Sequence, residues 1–154
     1  MKARFNYARV AAGAYKAMDG LEDYLAACGL EPALLHLIRF RASQINGCAY
    51  CLDMHSKDLR AGGETEQRLY SLNAWRECPY YTDRERAALE WTEAVTLVAA
   101  THVPDEVYEA VRSHFTEKEL ADLTFAIATI NVWNRLAIAA RTVPGGYKPA
   151  QAAI

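Results

Sequence analysis

Apolar residues recur at intervals of three and four along nearly the whole chain, the spacing of one face of a helix. Across residues 7–27 the stripe is Val10, Ala14, Ala17, Met18, Leu21 and Leu25, and Gly29 stands where a helix would stop. Pro32 suits the first turn of a second helix, because its ring presets φ and its missing N–H is not needed there. That helix carries Leu34, Leu35, Leu37, Ile38, Phe40 and Ile45 and ends at Asn46-Gly47. A third is predicted over residues 48–60, before Gly62-Gly63, and a fourth over 64–74, with Cys78-Pro79 breaking the pattern. Thr82-Asp83-Arg84-Glu85 and Thr116-Glu117-Lys118-Glu119 both have the form of a capping box, in which hydroxyl and carboxylate satisfy two free N–H groups reciprocally. The first opens a helix through Val98. The second opens the longest, residues 117–141, closed by Pro144-Gly145-Gly146, and Pro104 opens a short helix to Phe115 between them. No segment alternates convincingly with period two. The pattern predicts an all-α fold of about six to seven helices, a single domain over residues 1–154, with a frayed small-residue tail over 149–154.

Composition narrows the function classes. A chain of 154 residues with 52% hydrophobic content fits one domain with a substantial core. The formal net charge of −2 gives no global bias toward nucleic acid or an anionic membrane, so neither is an expected partner. The most apolar stretch, 120–140, is interrupted by Asp122, Asn131, Asn134 and Arg135, which argues against a membrane span. Lys2, Arg4, Arg9 and Lys16 are followed by no signal-type apolar core, so a cytoplasmic location is expected. The four cysteines would then sit in a reducing compartment, where a close pair points to redox chemistry or metal rather than a structural bridge. Cys28 and Cys78 fall near predicted helix ends or loops and read as incidental thiols.

The chemistry concentrates in Asn46-Gly47-Cys48-Ala49-Tyr50-Cys51-Leu52-Asp53-Met54-His55. On a helix starting near Cys48, positions 48, 51 and 55 share a face. In a redox reading, the helix start favours a thiolate. An unperturbed cysteine is only about 3% ionised at pH 7, and a pKa near 6.5 requires about 2.7 kcal/mol. A helix end supplies about 0.3–1 kcal/mol, so a second contributor is needed. His55 is the local one, either as an imidazolium that favours the Cys51 thiolate or as a neutral base that takes its proton. Residues three apart on a helix also lie within disulfide reach, so one thiol can attack and the other resolve. In a metal reading, Cys48, Cys51 and His55 take a fourth ligand from Cys28, Cys78, His36 or Asp53, but no second Cys-x-x-Cys or His-x(3–5)-His pair exists to complete a structural zinc site. Inert buried thiols are the third reading. Redox is preferred, with no bound metal expected.

The run from Arg41 through Cys48-Ala49-Tyr50-Cys51 to His55 resembles the core motif of the alkylhydroperoxidase AhpD-like family, within the wider carboxymuconolactone decarboxylase group. Ile130-Asn131-Val132-Trp133-Asn134-Arg135-Leu136-Ala137 and the run 81–89 are similar to that group as well. The resemblance implies an all-helical AhpD-like domain assembled as a homo-oligomer, a trimer or hexamer. It implies a thiol-dependent peroxidase that consumes small-molecule peroxides, with no tightly bound cofactor and an external dithiol or lipoyl-type reductant. It also implies Cys51 as the peroxidatic and Cys48 as the resolving cysteine, with His55 in a proton relay. Where many members carry a glutamate that partners the relay histidine, this chain has His36, and Tyr50 stands where a histidine separates the cysteines in the better-understood branch. His36 is thus a candidate relay residue or an ordinary core or interface histidine, and the missing acid is expected from Glu90 or Glu93.

Other polar and aromatic residues have simpler readings. Trp75, Trp91 and Trp133 read as core or oligomer contacts, and Arg39 and Arg41 as solvated. Asn131, Asn134 and Arg135 read as bonding across helices or facing solvent, and the acidic positions of 83–93 as an exposed helical face. The rival functions are a decarboxylase or lactone-handling enzyme on the same fold, and a non-catalytic redox- or metal-responsive protein.

Overall fold

The computed structural model describes residues 2–149; the expected frayed tail lies, from residue 150 on, outside them. Among the described residues the chain is helical throughout, with no strand. The helices are α1 (Tyr7–Val10), α2 (Ala12–Ala26), α3 (Pro32–Asn46), α4 (Ala49–Ala61), α5 (Glu66–Ser71), α6 (Asp83–Thr96), α7 (Val98–Thr101), α8 (Asp105–Arg112) and α9 (Glu117–Ala140), with a 3₁₀ segment Leu72–Glu77 after α5. Both capping boxes form: Thr82 and Thr116 each accept from the N–H three residues on, and Glu85 and Glu119 reach back to the cap.

The count exceeds the predicted six to seven because three predicted helices break. Ala11 takes φ −128°, ψ 48° between α1 and α2, in a run of small residues with little side chain to hold a continuous stripe. The break lets both Tyr7 and Tyr15 reach Trp133. Leu97 takes φ −97°, ψ 27° and separates α6 from α7. The predicted 64–74 helix starts later, because Thr65 caps it by accepting from Arg68 N–H, and it kinks at Ala74 (φ −115°, ψ 30°).

α3 is the hub, packed against α4, α6 and α9. One core cluster joins Leu34, Leu35 and Ile38 of α3 to Trp91, Leu123 and Ile127 of α6 and α9. A second gathers Leu37, Leu59, Leu72 and Leu89. A third, smaller cluster holds Ala42, Cys48, Cys51, Ile130 and Ala137, where α3, α4 and α9 meet. Among the described residues α9 is the one helix long and apolar enough to cross a membrane by length and composition. Half of that apolar window is buried against the other helices, and its polar residues have partners inside the fold. Asp122 accepts from Tyr24 Oη at 2.8 Å and Lys118 Nζ at 2.6 Å, and Asn134 donates to Ser43 Oγ at 3.0 Å.

Candidate active site

A two-residue link between α3 and α4 sets the thiols. Gly47 takes the left-handed conformation (φ 67°), which only glycine adopts without strain, and ends α3 abruptly. Cys48 follows in an extended conformation as the N-cap of α4, and its Sγ accepts the Cys51 N–H at 3.4 Å. The helix-start advantage thus falls on Cys48, which occupies the place usually taken by a Ser or Asp cap. Both cysteines are free and buried, at 1% and 2% exposure. The Cys51 thiol hydrogen-bonds to Cys48 and is the largest cause lowering the Cys48 pKa, to about 7; the Cys51 backbone and Asn134 add to it against burial. Cys51 moves up for the complementary reason, because a Cys48 thiolate beside it favours keeping its proton. The pair therefore gives up one proton near neutrality and holds the second tightly. The helix end is not the main cause of that lowering; the Cys51 thiol is.

His55, one turn after Cys51, is 5% exposed. Burial, then the neighbouring Arg39 and His36, push its pKa down to about 3. That disfavours the imidazolium reading for His55 and leaves the neutral imidazole. Neither ring nitrogen has a hydrogen-bond partner, and the Asp58 carboxylate lies 3.8 Å from Nδ1. His36 packs beside it with ring centroids 5.9 Å apart, and burial followed by Arg39 lowers its pKa also. The carboxylate next to His55 is therefore Asp58, three residues along the same helix, a spacing visible in the sequence as His55-x-x-Asp58. Glu90 and Glu93 are not that acid: Glu93 is tied to Arg41, Trp75 and Arg76, and Glu90 to Arg76.

A cavity of about 270 Å³ opens onto Cys51 and His55. Its walls are aromatic: Tyr7, Tyr15, Tyr50 and Trp133, with Tyr15 and Trp133 edge-to-face at 5.5 Å and 62°. Trp133 is thus a cavity wall rather than simply a core contact, and its Nε1 donates to Glu22 Oε1 at 2.8 Å. Glu22 also binds Arg39 at 2.7 Å, so Arg39 is a buried ion-pair member instead of a solvated arginine. Arg41, paired with Glu93 at 2.8 Å, departs from the solvated reading in the same way, as does Glu93 from the exposed acidic face. Cys48 faces the other way, onto a separate cavity of about 260 Å³ beside Ile138 and Arg141. Asn134, fully buried, accepts from Asn46 at 2.8 Å and supports the cysteines across the helices. Cys28 and Cys78 pack in the other two clusters, and Asp53 is engaged by Lys57 and the Gly145 N–H, so none of the three joins the Cys48–Cys51–His55 set. Glu22, Asp58 and Tyr147, whose hydroxyl donates to Asp58 Oδ1 at 2.6 Å, are lining residues the sequence reading does not include.

A family model described as "Carboxymuconolactone decarboxylase family" matches residues 12–94, from α2 into α6 and across both cysteines and His55. The chain belongs to this family. YdfG of Bacillus subtilis, an uncharacterized protein, is 45% identical over 139 residues, covering 90% of this chain and 95% of YdfG. The crystal structure of ATU0492 from Agrobacterium tumefaciens, a protein of unknown function described as a candidate antioxidant defence protein AhpD, is 46% identical with a TM-score of 0.91, covering 95% of this chain and all of that one. An uncharacterized peroxidase-related protein from Silicibacter sp. TM1040 is similar at 25% identity and a TM-score of 0.76, covering 85% of this chain and 70% of that one. The fold is that of the AhpD-like branch.

Proposed function

We propose that this protein is a thiol-dependent peroxidase of the AhpD type. The observation that carries the proposal is the placement of Cys51, backed by a thiolate-prone Cys48 and a neutral His55, on one aromatic cavity. Cys51 passes its proton across their hydrogen bond to the Cys48 thiolate and attacks the terminal oxygen of a hydroperoxide. The O–O bond breaks, Cys51 becomes a sulfenic acid, and the alkoxide takes that proton from Cys48 by way of neutral His55, which Asp58 faces at 3.8 Å, so that Cys48 is again a thiolate. The Cys48 thiolate then attacks the Cys51 sulfur; the S–O bond breaks, hydroxide leaves as water with one proton, and a disulfide forms. The peroxide has gained two electrons and the thiol pair has lost two. An external dithiol, such as a lipoyl group, returns them in the cytoplasm. His36 sits beside His55 and assists in orienting it. The assembly is a homo-oligomer, a trimer or hexamer, which would cover Phe125 and Val132 on the outer face of α9 and the nearby Leu97 and Val98, all 40–56% exposed.

The test is peroxide consumption with a dithiol reductant in wild type and Cys51→Ser. The variant should lose turnover while keeping its helical signal. Peptide mapping of peroxide-treated wild type should join Cys48 to Cys51. Full activity in Cys51→Ser would sink the assignment, and lactone-acid turnover by a Cys48→Ser/Cys51→Ser variant would favour the decarboxylase reading instead.

A further inference from the structure

The second imidazole beside His55 has more chemistry than a relay needs. His36 from α3 and His55 and Asp58 from α4 each offer a ligand atom, and these atoms all lie within 4.8 Å of one another. Tetrahedral zinc bonds of about 2.0–2.1 Å place donors about 3.4 Å apart, so side-chain rotations of about 1.4 Å would close the three onto a cation. His55 is 5% exposed with both nitrogens unbonded, and the buried Nδ1 of His36 is also unbonded. Unpartnered buried nitrogens are costly, and most native ones are satisfied. Here two of the three groups carry such nitrogens, on facing helices, around a carboxylate.

We propose that His36, His55 and Asp58 bind a single divalent transition-metal cation of the zinc or cobalt class. The donor set of two imidazoles and one carboxylate matches three-ligand sites that leave a coordination position open. Asp58 is oriented by the Tyr147 hydroxyl, the outer contact that fixes a ligating carboxylate. Glu22 offsets the charge of the nearby Arg39, which leaves Asp58 as the net charge facing the cation. His36 and Asp58 also line a cleft of about 640 Å³ on the side away from the thiols, which gives the ion a route that does not pass the cysteines. The set differs from the one considered from sequence: it uses neither cysteine. An ion held on His55 would take that imidazole out of the proton relay, and ion binding is read independently of thiol turnover.

The experiment titrates the reduced full chain, stripped with chelator, with Co²⁺ alone, reading visible d–d absorption and native-mass stoichiometry. Wild type and the Cys48→Ser/Cys51→Ser variant should each take one equivalent. His36→Gln and Asp58→Asn should weaken binding by about 100-fold or more, and Tyr147→Phe, which alters only the outer contact, by about 10-fold. Loss of the ion in the double thiol variant, undiminished binding in folded His36→Gln and Asp58→Asn, or no binding by wild type at millimolar Co²⁺ would each overturn the proposal.

Discussion

On the α5–α6 side of the molecule, Arg41 meets Glu93 at 2.8 Å, and Glu93 also accepts from Trp75 Nε1 and from Arg76. Arg68 bridges Glu64 and Glu85, and Arg84 bridges Glu31 and Glu119. Each of these charges has a counter-charge in contact. Across α3, on the α4 side, His55 is more deeply buried and bonds to nothing, His36 leaves a nitrogen unbonded, and two thiols share a proton. Paired charges settle into one arrangement and serve the fold. Unpaired titratable groups cost stability and retain their reactivity, and such groups collect at functional sites. The unbonded nitrogens of His55 and His36 mark the α4 side as the place of the candidate chemistry.

The largest expected effect is on the unpaired side. His55→Gln should lower peroxide turnover by about 10²–10⁴-fold at unchanged helical content, the range for loss of a positioned proton-transfer group. A decrease under tenfold would move that role to another group. The paired side should respond in the opposite sense. Glu93→Ala breaks an ion pair whose members are only 11% and 16% exposed and should cost about 3 kcal/mol, read from denaturant unfolding. Alkylation of Cys48 and Cys51 in that variant should proceed at the wild-type rate; a large change there would erase the distinction between the two regions.

Acid provides a smaller effect with a definite sign. His55 has its pKa lowered from 6.5 to about 3, so below pH 6.5 the unfolded chain takes up a proton that the folded one refuses. Its contribution is therefore complete above pH 6.5 and is lost as pH falls toward 3. Between pH 6.5 and 5 the loss should be about 2 kcal/mol, and His55→Asn should flatten the profile. His36, shifted the same way, leaves a residual slope. The smallest effect concerns the thiols: their alkylation should rise with a midpoint near pH 7, and Asn134→Ala should move that midpoint up by about one unit because a hydrogen bond to Cys48 is lost. An unmoved midpoint would assign the activation to the Cys51 thiol and the N-cap geometry without Asn134.

Much of the site is readable from spacing. The Asn46-Gly47 stop and both capping boxes recur in the structure with their expected roles, and Cys51 and His55 line one cavity, because each depends on residues within a turn of one another; Cys48, expected on the same face, lines another cavity. Asp58 is within the same reach, three residues past His55, whereas Glu90 and Glu93 of α6, the acids expected from the sequence, bind arginines instead. The breaks at Ala11 and Leu97 are not readable in this way, since helical periodicity persists through both and packing decides where the chain bends.

Local order along the chain sufficed for an all-helical domain with two thiols and an imidazole at the start of one helix. Which thiol feels the helix end depended on a single cap position, and the folded link at Gly47 gave it to Cys48. Assembly of distant segments decided the rest: Glu22 against Arg39 and Trp133, Tyr147 against Asp58, His36 against His55. The protonation state of His55 belongs to the same class. Its sequence neighbours leave it an ordinary histidine, and burial beside Arg39 keeps it neutral, because desolvation and a nearby positive charge are properties of the packed interior.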